Sequence, residues 1–352
     1  MKTVESDITS DAAGALRDCL KDVSFVQVES IDPVDQSGGL RPDLVLHGQL
    51  PESSFTILAE VKSSGQPRLA REASNQLLRC LEQYPNAYGI FVAPYVSPRG
   101  GQVCKEAGVG YLDLSGNCYL SFDRIHIERT GNPNQYRRKK ELRSLYSPKA
   151  SRVLRVLMEN SGRTWKMKDL AAVANVSLGH ASNVKQLLED REWLRTEKDG
   201  CRLTRPGELL AEWSEKYSYR DNSAVEYHTI MGLPEIEAEI ARTCENMDRK
   251  YAFTMFSGAA RHGVATRYKR VFAFVDGHLE EVAAKVQLKK VASGPNVILL
   301  SPYDDGVFYG AAESEHGTAA SPVQVYLDLK NYRGRGEETA NALLQEVIQP
   351  TW

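Results

Sequence analysis

The sequence predicts a multidomain α/β protein with a winged helix at its centre, and three observations point to that fold class. At 352 residues the chain is too long for one ordinary core. Helical and strand patterns mix toward both ends, whereas the middle reads as three helices and a hairpin. Charge is also unevenly spread. Gln135 to Gly207 holds seventeen Lys or Arg against eight Asp or Glu, although the whole chain has a net charge of −2. These patterns divide the chain into an α/β domain at 1–132, a basic linker at 133–147, a winged helix-turn-helix at 148–220 and a second α/β domain at 221–352.

Bulk properties exclude several classes. With 42% hydrophobic and 26% charged residues the chain is an ordinary globular one. No apolar window is long enough to span a membrane, and the N-terminus MKTVESDITSDAAGALRDCL has no signal-peptide core. A cytoplasmic location is therefore expected. The cysteines at 19, 80, 104, 118, 201 and 244 include no C-x-x-C pair, which argues against a zinc ribbon or a disulfide framework.

Toward the N-terminus, Asp11 to Val23 has amphipathic helical spacing, and LRPDLVLHGQL and FTILAEVKS read as strands around the turn Pro51–Ser54. Ala70 to Gln83 is expected to be a helix with Ala70, Ala73, Leu77, Leu78 and Leu81 on one side. YGIFVAPYV suits a buried strand. A helix at Gly100–Ala107 and the strands VGYLDL and NCYLSF complete the order α-β-β-α-β-α-β-β.

In the middle, Pro148–Glu159 carries Ala150, Val153, Leu154 and Leu157 at helical spacing, and Trp165–Ala174 fits a second helix. Ala174-Asn175-Val176-Ser177 is the turn, with Ser177 able to cap a third helix, Leu178–Asp190. Ala181, Val184, Leu187 and Leu188 take the core side. Gly179, His180, Ser182, Asn183, Lys185 and Gln186 are left near an outward face. Amides there can read adenine edges and Lys can meet guanine or phosphate, so double-stranded DNA is the expected partner. WLRTEKDGCRLTRPG reads as the wing, turning at Asp199-Gly200 and carrying Lys198, Arg202 and Arg205. Arg137 and Arg138 in the linker are expected to grip the DNA backbone, and paired half-sites would suit a homodimer. The same fold serving protein contacts alone is the competing reading. Trp165 and Trp193 are expected in the core.

The first domain places Pro42-Asp43 before a spacer and then Glu60-Val61-Lys62 at the end of an apolar strand. Because strand side chains alternate, Glu60 and Lys62 share a face. Two carboxylates suit Mg²⁺, which polarises a phosphate and acidifies bound water, and Lys62 could orient that water. These residues resemble the PD-(D/E)XK nuclease superfamily over about 100 residues, with Gln76 at a polar helical position seen in resolvase-like members. The resemblance implies a restriction-endonuclease-like fold, a site of Asp43, Glu60, Lys62 and Gln76, and Mg²⁺ held by Asp43 and Glu60 if the site is active. An early helical acid often completes such sites, and Glu5, Asp11 and Asp18 all remain candidates. A retired nuclease domain that positions DNA, binds a ligand or holds a dimer is the alternative.

The last segment is expected to form helices at Pro234–Asp248, Leu279–Leu288 and Glu337–Ile348 with strands YAFTMF, RVFAFVD and NVILLSP. Ser257-Gly258-Ala259-Ala260, Tyr326-Leu327-Asp328-Leu329 and Gly334-Arg335-Gly336-Glu337, together with the winged helix, resemble the AbiEi family. These are transcriptional regulators on the antitoxin side of type IV toxin–antitoxin systems, and the resemblance spans roughly 145–352. It implies repression of an operon and a C-terminal domain that contacts or antagonises a cognate toxin. The nuclease-like first domain departs from the short members of that family. A Ser-Gly loop before a helix could hold a triphosphate, but metal-dependent nucleotidyl transfer needs paired carboxylates on the next strand and RVFAFVDGH offers only Asp276. That loop is therefore read as structural, and Asp304-Asp305 as a turn. Arg261, His262, Arg267, Lys269 and Arg270 form a local basic cluster, either a DNA contact or a solvated face. No G-x-S-x-G, P-loop or H-E-x-x-H is present.

Overall fold

A computed structural model of the protein describes residues 2–34, 41–84, 86–136 and 145–352, with the side chains of residues 2–7 excepted. Contacts divide the chain into Met1–Lys139 with Glu189–Glu192, and Lys140–Leu188 with Trp193–Trp352. Arg137 and Arg138 lie outside the described residues.

The first unit starts with helix α1 (Lys2–Lys21), followed by strands β1 (Gln27–Pro33), β2 (Leu44–Gln49) and β3 (Ser54–Val61). Helix α2 (Pro67–Leu81), β4 (Ala87–Ala93), α3 (Pro98–Glu106), β5 (Gly110–Asp113), β6 (Cys118–Phe122) and β7 (Ile125–Arg129) follow. The seven strands lie in sequence order, with parallel pairs only at β3–β4 and β4–β5. Those pairs need crossovers, and α2 and α3 are the crossovers.

Alternation along β3 sends its side chains to two different layers. Ile57, Ala59 and Val61 join Ile90 and Val92 under Ala12, Leu16 and Leu20 of α1. Leu58 goes the other way, to Leu77 and Cys80 of α2. The order differs from expectation by one strand at each edge, β1 and β7. Helix α2 also runs earlier than expected, because Pro67 stands in its first turn, and Leu78 is exposed rather than packed.

The second unit contains α4 (Pro148–Glu159), α5 (Met167–Val173), α6 (Leu178–Asp190), β8 (Leu194–Glu197), β9 (Gly200–Leu203) and α7 (Pro206–Lys216). Beyond them come β10 (Ser223–His228), α8 (Leu233–Asn246), β11 (Tyr251–Thr254), α9 (Met255–Arg261), β12 (Val271–Val275) and α10 (Leu279–Lys285). Strands β13 (Lys289–Lys290) and β14 (Val297–Ser301) and helices α11 (Pro322–Lys330) and α12 (Gly336–Leu343) end the order, α12 continuing as a π turn over Leu344–Ile348. The five-stranded sheet runs β11-β12-β14-β10-β13, and only β12–β14 is parallel.

Two expectations are corrected here. YAFTMF is a strand only to Thr254. Met255, at φ +53, breaks the extended run and starts α9. Ser257 and Gly258 therefore sit inside a helix and not in an open loop. Ser257 Oγ donates to the Thr254 carbonyl, and a Cβ on Gly258 would lie 2.9 Å from both the Phe253 carbonyl oxygen and Val325. Strand β10 was not anticipated. Its burial pattern is mostly exposed, so it carries little hydrophobic alternation.

One apolar core runs from the winged helix into the C-terminal sheet. Leu154, Leu157, Leu209 and Trp213 belong to the same buried cluster as Phe274, Leu300, Leu327 and Leu329. A polar chain ties the two parts further. Arg155, fully buried, donates from Nη2 to Gln324 Oε1 at 2.5 Å and to Tyr303 Oη at 3.3 Å, and its guanidinium lies 5.1 Å from the Trp213 ring. Gln324 Nε2 donates in turn to Tyr217 Oη (2.8 Å) and Asp328 Oδ1 (3.0 Å). Asp328 also accepts from Tyr217 (2.6 Å) and Thr254. Burial pushes its carboxyl up to about 6 despite those donors. Among the described residues no helix is long and apolar enough to cross a membrane.

Candidate functional site

In the middle of the chain the three helices and the hairpin form as the spacing predicts. Asn175 turns the chain at φ +51, a left-handed conformation that Asn tolerates. Ser177 Oγ then accepts from His180 N at 3.2 Å, capping α6. Ala181, Val184 and Leu188 are buried, and Leu187 is only half-buried. Gly179, Ser182, Asn183 and Gln186 are exposed. Their spacing of three and four places them in one stripe along the helix. His180 and Lys185 are corrected from the outward face, since both are half-buried and His180 Nε2 is enclosed.

The wing turns one residue earlier than expected. Glu197 pairs with Gly200, which leaves Lys198 and Asp199 as the loop. Gly200 (φ +151) opens β9, where a Cβ would lie 2.3 Å from the Trp165 carbonyl oxygen. Trp165 bridges to Cys201 there, so the backbone at Gly200 has to pass close. Trp165 and Trp193 are both buried, and Trp193 Nε1 donates to Glu208 at 3.1 Å. Lys198 is exposed. Arg202 pairs with Glu197 at 3.2 Å and Arg205 with Glu208 at 3.5 Å, so these two wing cations are already partnered. Exposed Lys166 and Lys168 beside α5, and Arg195 directly across the hairpin from Arg202, are cations that the sequence reading passed over.

In the first unit Asp43, Glu60, Lys62 and Gln76 converge. Asp43 Oδ2 accepts from Val61 N at 2.7 Å, and Lys62 Nζ lies 2.5 Å from Glu60 Oε1. Gln76 Nε2 donates to Glu60 Oε2 at 2.8 Å and to the Arg41 carbonyl at 3.3 Å. Glu60 is 1% exposed. Burial and then the Asp43 charge push its carboxyl up to about 7, against the pull of Lys62. Burial works against the Lys62 ammonium, yet the bond to Glu60 and the charges of Glu60, Asp43 and Glu72 hold it above its ordinary value.

Neither described acid of α1 is brought to Glu60. Asp11 and Asp18 are exposed, and α1 covers the face of Ile57, Ala59 and Val61 rather than that of Glu60. The side chain of Glu5 lies outside the described residues. The helical acid whose charge acts on both Glu60 and Lys62 is Glu72, one turn before Gln76 on α2. The i, i+4 spacing of 72 and 76 was a legible signal for it.

Two crowded carboxylates, one of them pushed toward protonation, are a donor set that a hard divalent cation would relieve. Among the described residues no group of three or more His, Cys, Asp or Glu is placed to hold a metal. Mg²⁺ commonly takes one or two carboxylates and completes its shell with water and phosphate, so Asp43 and Glu60 fit that use.

The basic cluster of the third segment is corrected in part. Arg261 is an internal side chain, bonded to Glu237 at 3.0 Å and lying 4.0 Å from the Phe253 ring centre. His262 Nε2 meets the Ala320 carbonyl at 2.7 Å. Arg267, Lys269 and Arg270 are exposed. Asp304 is a turn residue, as expected, accepting from Gly306 N and pairing with Arg152 at 2.8 Å.

Part of the second unit is similar to a family of known proteins. Residues 202–349 match the family described as "Transcriptional regulator, AbiEi antitoxin, Type IV TA system". No curated protein matches the chain. A solved structure, that of EndoMS in apo form, is similar at 10% identity and a TM-score of 0.21. The match covers 29% of this chain and 45% of that one, so the chain spans under half of its length.

Proposed function

We propose that the protein is a sequence-specific double-stranded-DNA-binding regulator of transcription, repressor- or antitoxin-like, acting as a homodimer. The observation that carries this reading is the exposed stripe Gly179, Ser182, Asn183 and Gln186 on the third helix of a three-helix-and-hairpin unit, in the most basic stretch of the chain. Small residues let the helix approach the major groove, and the amides read base edges. Exposed Leu178 at the start of that helix suits a thymine methyl. The AbiEi match over 202–349 supports the same reading, and a cognate toxin would be the second partner.

Asn183→Ala is expected to lose about 1–3 kcal/mol of discrimination at one base pair, measured by operator competition. Unchanged selectivity would show that α6 does not read bases. Lys198→Ala is expected to weaken binding to all duplexes alike and to reduce the salt slope by about one. Arg202→Ala, already held by Glu197, is expected to do less.

A second reading rests on the convergence of Asp43, Glu60, Lys62 and Gln76: a Mg²⁺-dependent endonuclease to which the winged helix delivers DNA. When bound, Mg²⁺ would supply electrophilic activation of a phosphodiester. Asp43 and Glu60 would hold it, Gln76 would fix the Glu60 carboxylate, and Lys62 would steady charge at the phosphate. Supercoiled plasmid with Mg²⁺ or Mn²⁺ separates the readings. Nicking that disappears in Lys62→Ala supports the enzyme, whereas intact plasmid with a sharp operator shift supports the regulator alone.

A further inference from the structure

The C-terminal sheet carries a set of charges with no internal partner. Between 221 and 352 there are eighteen Asp or Glu against thirteen Lys or Arg. Arg242, Arg249, Arg261, Lys330 and Arg335 each meet a carboxylate, whereas exposed Lys250, Lys285 and Arg333 make no ion pair among the described residues and lie scattered along the sequence. Five more without an ion pair, Arg267, Lys269, Arg270, Lys289 and Lys290, fall in two short runs. All five are exposed, and none of their side chains makes an ion pair among the described residues.

Strand register brings Arg270, Lys289 and Lys290 to one end of the sheet, with Arg267 and Lys269 in the loop that leads into Arg270. Arg270 immediately precedes Val271, which starts β12 and pairs with Val297 at the start of β14. Val297 pairs with Tyr227 at the end of β10, and Tyr227 and His228 pair with Lys290 and Lys289. Nearby, Tyr268 donates to Glu237 at 2.8 Å, and Glu237 is also bound by Arg261. That carboxylate is therefore occupied, and the remaining acids of β10 and the first turn of α8 are Glu226 and Glu235.

The same end presents an apolar side chain to water. Ile230 is 100% exposed, yet its loop is held firmly. Asn296 Oδ1 accepts from Thr229 N at 3.0 Å while Asn296 Nδ2 donates to the Thr229 carbonyl at 2.7 Å. A bond of 3.2 Å between His228 Nδ1 and the Gly294 carbonyl fixes the loop's start. A branched side chain on a pinned turn loses little entropy when covered, which is what an interface anchor needs.

We infer that this end of the C-terminal sheet docks a partner protein whose surface offers an apolar socket for Ile230 within an acidic rim for Arg270, Lys289, Lys290 and their neighbours. DNA phosphate would satisfy the cations but gives Ile230 nothing to bury against. The patch also lies at the start of β14, whereas α4 is anchored just past the strand's other end through Tyr303 and Asp304. It is thus not a continuation of the winged helix's own contact.

The test uses the full chain and fluorescence anisotropy with three probes: an acidic peptide with a central Leu-Phe pair, an all-glutamate peptide of equal charge, and a short duplex lacking any operator. The Leu-Phe peptide is expected to bind about tenfold more tightly than the glutamate peptide. Ile230→Ser and the double variant Lys289→Glu/Lys290→Glu are each expected to remove about tenfold of that affinity. Both substitutions are at exposed positions, so their urea midpoints should match the wild type. Asn183→Ala should leave peptide binding unchanged, which keeps this proposal separable from the DNA reading. Equal binding of both peptides, or an Ile230→Ser variant that binds like wild type, overturns the proposal. So does loss of duplex retention, rather than of peptide, in the double lysine variant, which marks a nucleic-acid surface instead.

Discussion

Glu60→Gln should make the first unit more stable at pH 8, by about 2–3 kcal/mol, although it removes an ion pair. In the folded protein the Glu60 carboxyl is pushed from 4.5 to about 7 by burial and by Asp43. The folded state therefore holds this proton more tightly than the unfolded chain does. Below about pH 4.5 the carboxyl is protonated in both states and adds no penalty. As pH rises through 4.5 toward 7 the unfolded chain releases its proton first, and stability falls. A shift of that size corresponds to roughly 3 kcal/mol once both states are ionised. The neutral amide escapes the penalty and can still accept from Gln76. Urea midpoints measured from pH 4 to pH 8 test this. The gap between variant and wild type should open with rising pH, and a gap independent of pH would refute the assignment. Mg²⁺ should raise the midpoint of the wild type alone if Glu60 is a ligand.

Gln324→Leu is the substitution with the largest expected loss, about 3 kcal/mol or more, read as a lower urea midpoint for the second unit. Gln324 is the near acceptor for a guanidinium with no exposed surface, and its amide also donates to Tyr217 and Asp328. Its removal leaves a buried cation short of an acceptor and a buried carboxyl short of a donor. Arg155→Met should cost less. It strips a donor from Gln324 and Tyr303 but also removes Nε and Nη1, which are buried without partners. A double variant should cost clearly less than the two single effects added together, because each single change mostly exposes the other residue's unmet need. Additive losses would show that the chain of bonds does not act as a unit.

What could be seen in the sequence follows from where strong periodicity lies. The three helices and hairpin in the middle were legible because their apolar positions recur at three and four and the hairpin has a Gly beside charged turn residues. Glu60 and Lys62 were legible because alternation on a strand is strict, whereas Gln76 came only from the resemblance to the nuclease superfamily and not from the spacing of α2. Largely exposed strands were not. QVESIDP of β1 and SAVEYH of β10 are largely exposed, so neither writes a hydrophobic pattern. Arg155 was hidden for a different reason: its acceptor lies 169 residues away, and a charged residue inside an apolar helical stripe reads as surface. Arg261 was assigned to a basic cluster for the same lack, because Glu237 and Phe253 are not its neighbours in sequence.

The bond between Arg155 and Gln324 also bears on how the protein is made. A ribosome adding about 5–20 residues per second delivers Gln324 on the order of ten seconds or more after Arg155. Throughout that interval α4, α5 and α6 lack α11, and Leu154 and Trp213 lack the apolar surface of Leu327 and Leu329. The core around α4 is therefore expected to stay open until α11 has been made. A transcript cut short before α11 is expected to yield a three-helix unit whose core stays open.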